Sequence, residues 1–150
     1  MHNVYNAVAA AVPIPVVHIA DAAARGVTAA GVSRVGLLGT RATMEMDFYA
    51  GRLAARHGIE VLVPEAADRA LVHRVIFEEL CRGRIEAASR REYERVVGEL
   101  ASRGAQGVIL GCTEIAMLLP PAESELPLFD TAALHAEMAV DLALDKGGRA

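Results

Sequence analysis

The stretch Ser89-Arg90-Arg91-Glu92-Tyr93-Glu94-Arg95-Val96-Val97-Gly98-Glu99-Leu100-Ala101-Ser102-Arg103-Gly104-Ala105-Gln106-Gly107-Val108-Ile109-Leu110 decides the fold. Ser89 and Glu92 are spaced as a capping box. Tyr93, Val96, Val97, Leu100 and Ala101 follow at the i, i+3, i+4, i+7, i+8 spacing that lines one face of a helix. Gly104 ends that helix, and Val108-Ile109-Leu110 is a short apolar run of the kind buried within a sheet.

The same alternation extends outward in both directions. Upstream, residues 4–12 are alanine-rich and helical, Pro13 and Pro15 stop them, and residues 16–19 have strand character. Asp21 is positioned as the cap of a helix ending at Gly31, and residues 34–38 form a strand closed by Gly39. Residues 40–56 place Met44, Phe48 and Leu53 on one helical face, with Gly58 as the stop. A strand at 60–63 runs into Pro64, and Asp68 caps a helix carrying Val72, Val75, Ile76 and Leu80 before Gly83. Downstream, 126–129 is a last strand, 131–144 a last helix, and 146–150 a frayed tail. Strands alternating with helices imply an α/β fold, a parallel sheet flanked by helices on both faces.

Composition narrows the function. Apolar residues make up 53% and charged residues 23%, enough apolar material for a packed core and not the composition of a disordered chain. The net charge of −4 is small, and acidic residues interleave the basic ones, as in Arg90 to Arg95, so no nucleic-acid partner is expected. No apolar run approaches the roughly 18–20 residues that span a bilayer, and no basic region leads a signal-like core. A cytoplasmic location without membrane attachment is therefore expected. Cys81 and Cys112 lie far apart with no metal-ligand partners at short spacing, so neither a disulfide scaffold nor a metal site is expected.

In parallel sheets, ligands bind where strands give way to helices at the carboxyl ends. Two such turns carry suitable chemistry. Gly111-Cys112-Thr113-Glu114 sets a thiol between a strand and a helix start, whose unpaired N–H groups would favour the thiolate. On that reading Cys112 is a base or nucleophile and should outreact Cys81 toward a thiol probe near neutral pH. Gly39-Thr40-Arg41-Ala42-Thr43 offers hydroxyls and N–H groups suited to a carboxylate, although Thr40 and Thr43 also read as simple caps. Its glycines match neither nucleotide-binding pattern. His18 reads as a hydrogen-bonded core residue, His57 and His73 as surface residues, and His135 as undetermined. Cys81, at the end of an amphipathic helix, reads as packing.

Several segments in order resemble the aspartate/glutamate racemase family: Pro15-Val16-Val17-His18-Ile19-Ala20-Asp21, Gly36-Leu37-Leu38-Gly39-Thr40-Arg41-Ala42-Thr43-Met44, Phe48-Tyr49, Phe77-Glu78-Glu79-Leu80, Gly107-Val108-Ile109-Leu110-Gly111-Cys112-Thr113-Glu114 and Asp130-Thr131. The resemblance runs from the first residue to about Leu144. It implies a cofactor-independent racemase of two pseudo-symmetric Rossmann-like α/β domains, with one acid/base residue from each domain facing a shared cleft. Cys112 would be the second of these. The resemblance places Thr40, Thr43, Thr113 and Glu114 at the substrate, Cys81 where the side chain is selected, and His2 at the end of the family's Asn-Thr-x-His motif.

Met1-His2 match only the last two positions of that motif, so the chain reads as a truncated racemase, or one that starts at an internal methionine. Residues 1–31 would be a remnant of the first domain, 32–129 the second domain, and 130–150 a helix returning to the first domain with its tail. Alone, it would lack the first acid/base group and be inactive. A small amino acid such as aspartate or glutamate is the implied partner, with a homodimer as the implied assembly. The runner-up activities are those of related maleate isomerases, hydantoin racemases and arylmalonate decarboxylases. A non-catalytic α/β module that binds an anion at the Thr40 and Thr113 turns is the alternative of a different class.

Overall fold

The computed structural model describes residues 2–145, so the tail from 146 onward lies outside the described residues. Four strands form one parallel sheet in the order β2-β1-β3-β4: β1 (Arg34–Leu38), β2 (Glu60–Leu62), β3 (Val108–Leu110) and β4 (Leu128–Asp130). Leu37 pairs with Ile109 and Leu38 with Leu110, so β1 and β3 end level with each other.

Side chains alternate across this sheet. Val35, Leu37, Ile109 and Phe129 face α2 (Ile19–Ala29) and α4 (Asp47–His57), with Ala20, Ala24, Val27 and Leu53 filling the layer. Leu38, Val108 and Leu110 face the other way, toward Val72, Val75 and Ile76 of α5 (Ala66–Glu78) and Tyr93, Val96 and Leu100 of α6 (Ala87–Ser102). Gly36 allows α6 to sit close, since a Cβ there would fall 2.8 Å from Leu100 Cδ1. The last helix, α8 (Thr131–Asp145), packs on α2. Among the described residues no helix is long and apolar enough to cross a membrane.

The structure corrects several local expectations. Residues 16–19 form no strand. The Val16 carbonyl accepts from the Tyr5 hydroxyl of α1 (Tyr5–Ala11), the Val17 carbonyl lies 3.2 Å from His135 Nε2, and His18 caps α2 by accepting the Ala20 N–H. Those side chains take the backbone groups that a sheet would have used. Asp21, read as that cap, instead sits in the first turn of α2 and pairs with Arg52. The helix read over 40–56 is two helices, α3 (Arg41–Glu45) and α4, because Met46 between them is extended at φ −91°.

Helix α6 begins before Ser89. Ser89 is its third residue, and its hydroxyl donates to Glu79 rather than capping, while Glu92 pairs with Arg95. Asp68 is likewise inside α5 and accepts from Arg95. The last strand starts two residues later than read, at Leu128.

Tyr49 is a sharp case of core chemistry. Its side chain is buried in the apolar cluster that α2 and α4 form with the sheet, and among the described residues its hydroxyl has no hydrogen-bond partner. A buried hydroxyl without a partner costs about 1–3 kcal/mol in lost hydration. Tyr49→Phe is therefore expected to raise stability by about 1 kcal/mol, read from chemical denaturation. A loss of that size would show that the hydroxyl is bonded in solution.

Candidate functional site

Both turns singled out in the sequence lie at the carboxyl ends of neighbouring strands, β1 and β3, and they touch. The Gly111 N–H donates to the Leu38 carbonyl at 2.7 Å. A Cβ at Gly111 would lie 2.9 Å from that oxygen and 3.0 Å from Thr43 Cγ2, and one at Gly39 would lie 3.0 Å from Thr43 Cβ and 3.5 Å from the Gly111 carbonyl. Two glycines thus let the two turns close on each other at a distance no larger residue permits.

On the β1 side, Thr40 caps α3: its Oγ1 accepts the Thr43 N–H and lies 3.1 Å from Thr43 Oγ1. The cap reading of Thr40 and its place beside Cys112's turn hold together. The Arg41 N–H donates to His73 Nδ1 at 3.2 Å, so half-buried His73 is part of this turn rather than a plain surface residue.

On the β3 side, Cys112 is half-buried and packed against the core under α5 and α6. Its Sγ donates to Glu114 Oε2 at 2.9 Å, and the exposed Thr113 hydroxyl donates to the same oxygen at 2.7 Å. Burial first, then the hydrogen bond and charge of Glu114, push the Cys112 thiol up to about 12. The bonds from Cys112 and Thr113 hold the Glu114 carboxyl below its usual range.

The expected thiolate is therefore reversed. The helix that follows, α7 (Ile115–Leu118), has only four residues, and its first N–H points at the Cys112 carbonyl at 3.2 Å rather than at the sulfur. The Glu114 backbone N–H favours the thiolate, but burial and the neighbouring carboxylate outweigh it and the sulfur keeps its proton.

Cys81 occupies a 3-10 turn, Leu80–Arg82, and is exposed, which corrects its reading as a packing residue. It is close enough that its charge would raise the Cys112 thiol further. His2 joins other residues: its Nδ1 accepts the Ile19 N–H, and its ring lies 4.9 Å from that of His18 and 5.5 Å from that of His135. His18 is buried and hydrogen-bonded, as its sequence context indicated. Among the described residues no group of three or more His, Cys, Asp or Glu side chains converges as a metal site.

Sequence reasoning missed Thr131 and Asp130 as structural parts of this edge. The buried Thr131 hydroxyl donates to the Leu110 carbonyl at 2.7 Å, fixing the end of β3 just before Cys112, and Asp130 Oδ1 accepts the Ala132 N–H. An Asp-Thr pair ahead of an apolar helical run is a cap signature that could have found them.

A family profile described as Asp/Glu/hydantoin racemase matches residues 1–139. A provisionally assigned Asp/Glu racemase from Yersinia pestis superposes with a TM-score of 0.91 at 49% identity, over 96% of this chain and 63% of that one. An aspartate racemase homologue from Pyrococcus horikoshii superposes with a TM-score of 0.86 at 36% identity, over 95% of this chain and 62% of that one. The aspartate racemase of Picrophilus torridus shares the fold, with a TM-score of 0.60 at 21% identity over 81% of this chain and 52% of that one. The chain thus spans somewhat less than two thirds of the length of the first two.

Proposed function

Because the chain belongs to the Asp/Glu/hydantoin racemase family, we propose that Cys112 is one of two acid/base groups that invert the α-carbon of a small amino acid of the aspartate or glutamate type without a cofactor. The observation that carries this reading is the contact between the two turns: the turn that bears the Cys112 thiol and the turn that bears the Thr40–Thr43 hydroxyl pair meet, through Gly111 and Gly39, at the carboxyl ends of β1 and β3. Inversion needs one group to take the α-hydrogen from one face while another delivers a proton to the opposite face. Charge moves onto the substrate carboxylate as the carbanion forms, so donors aimed at that carboxylate stabilise the transition state. Thr40, Thr43 and Thr113 supply such donors, Glu114 adjoins the reacting thiol, and exposed Cys81 stands where a substrate side chain is selected. His2 belongs to the opposing wall in this reading, with residues 1–31 and the helix from 130 onward assigned to the first domain and 32–129 to the second. A cytoplasmic location and a homodimer complete the proposal.

A single matched thiol cannot serve both faces. Purified chain is therefore expected to give no measurable interconversion of aspartate or glutamate enantiomers by chiral chromatography. Joining the chain to the part of the Yersinia protein outside their match should restore it. Robust racemisation by the 150-residue chain itself, abolished by Cys112→Ser, would show that another group here, Cys81 first, supplies the second face. The family's description also includes hydantoins, so turnover of a hydantoin or of maleate by the joined protein, with aspartate and glutamate untouched, would favour that second reading.

A further inference from the structure

Glu114 stands at the N-cap of α7, where a carboxylate ordinarily accepts backbone N–H groups, yet its side chain makes no cap bond. One of its oxygens instead accepts from two side chains of its own turn, Cys112 Sγ and Thr113 Oγ1. From this geometry we infer that Glu114 is a positioning residue that keeps the proton on Cys112, so that this wall of the cleft rests as the proton-donating one. The inference builds on the two-base reading and adds a direction to it. The enantiomer taken first is the one whose α-hydrogen faces away from Cys112. When Cys112 then acts, its S–H bond breaks and a C–H bond forms at the substrate carbanion. The electron pair stays on sulfur, while a base on the opposite wall holds the proton removed from substrate.

The other ionisable groups around the thiol do not replace Glu114 in this role. Cys81, on the turn after α5, acts in the same direction as Glu114 but only through its charge. Tyr93 of α6 feels Cys112 from the core side, keeps its own proton because it is buried, and donates it to the Val72 carbonyl. Behind it, Glu79 accepts from Ser89 and lies 3.6 Å from Arg74. Among the described residues only Glu114 takes a hydrogen bond from the sulfur.

The test reads the thiol itself, without substrate, so a chain that fails to racemise leaves it decidable. In a Cys81→Ser background, the rate of Cys112 alkylation by iodoacetamide is followed against pH by peptide mass spectrometry, with circular dichroism as the check on folding. With Glu114 present the midpoint should lie well above that of a free-cysteine peptide. Glu114→Gln replaces the acceptor with an amide that can donate to sulfur. It should move the midpoint down by at least about one pH unit, which at a fixed pH below it gives about threefold faster labelling once the lower nucleophilicity of the less basic thiolate is counted. Thr113→Val leaves the Cys112–Glu114 bond and should give no acceleration, whereas a general loosening of the turn would speed labelling in both variants. A midpoint unmoved by Glu114→Gln, an equal acceleration in Thr113→Val, or an ordinary midpoint with Glu114 intact would each overturn the inference. The last of these needs no Glu114 variant to fold.

Discussion

Alkylation of the folded chain near neutral pH is expected to strike Cys81 first and largely to spare Cys112. Cys81 is exposed, whereas Cys112 is half-buried with its proton directed at Glu114. Raising a thiol from 9.0 to about 12 lowers its thiolate fraction near neutrality by roughly 10³. Nucleophilicity grows with basicity at a Brønsted slope near 0.4–0.5, which returns about 20-fold. The net expectation is that Cys112 reacts about 50-fold more slowly than a free-cysteine peptide, before its burial slows it further. Peptide mapping after a timed pulse of iodoacetamide measures this. Preferential labelling of Cys112 in folded protein would mean that the Cys112–Glu114 hydrogen bond does not persist in solution.

The second large effect concerns stability. Arg52 donates to Asp21 through Nε at 2.7 Å and Nη2 at 2.6 Å, His57 Nε2 lies 3.0 Å from the same carboxylate, and the guanidinium sits 4.7 Å over the Tyr5 ring. The side chains are 11% and 21% exposed, between the surface and buried cases. Surface pairs contribute about 0–1 kcal/mol, and breaking a buried pair costs about 3–5 kcal/mol, so Arg52→Met is expected to cost about 2–3 kcal/mol at pH 7.

The pH dependence identifies the cause. Burial alone would raise the Asp21 carboxyl, but hydrogen bonds from Arg52 and His57, with the charge of Arg52, outweigh it and hold the group at about 2. A folded value below the unfolded one means that the contribution is present above about pH 4 and is lost as pH falls toward 2. His18 is held at about 4, by burial first and then by the charges of Arg52 and His2. The unfolded chain therefore binds more protons at His18 below about pH 6.5, and stability declines from there to pH 4. Removing Arg52 relieves His18 and frees Asp21, so the gap between wild type and Arg52→Met should narrow on acidification. Urea midpoints at pH 7, 5 and 3 read this, and a gap independent of pH would remove the ion pair as its source.

The apolar periodicities carried most of the architecture. Tyr93, Val96 and Leu100 could face only one side of α6, and Val108-Ile109-Leu110 could only be buried, so the parallel sheet and the edge bearing Cys112 were legible. Helix starts were less so. Ser89 and Asp68 have cap chemistry, but tertiary partners, Glu79 and Arg95, take their side chains. Residues 16–19 have strand composition, yet Tyr5 and His135 engage their carbonyls from other elements. The acidity of Cys112 was misread for a related reason. A helix start was taken to favour the thiolate through its N–H groups, whereas burial and the Glu114 carboxylate turned onto the sulfur outweigh the Glu114 N–H, and the Ile115 N–H goes to the Cys112 carbonyl.

Two-base inversion through Cys112 is tested most directly by the fate of the α-hydrogen. The chain, joined to the part of the Yersinia protein outside their match, is incubated in D₂O with each enantiomer of aspartate and of glutamate, with and without Cys112→Ser. Loss of the α-proton signal is followed by NMR, and inversion by chiral chromatography. With Cys112 in place, both enantiomers should exchange and interconvert. With Cys112→Ser, interconversion should fall by about 10²- to 10⁴-fold, the usual contribution of a positioned acid or base. Exchange should then persist only from the enantiomer whose α-hydrogen faces the other base. Interconversion undiminished by Cys112→Ser, or equal exchange from both enantiomers without it, would contradict the role of Cys112.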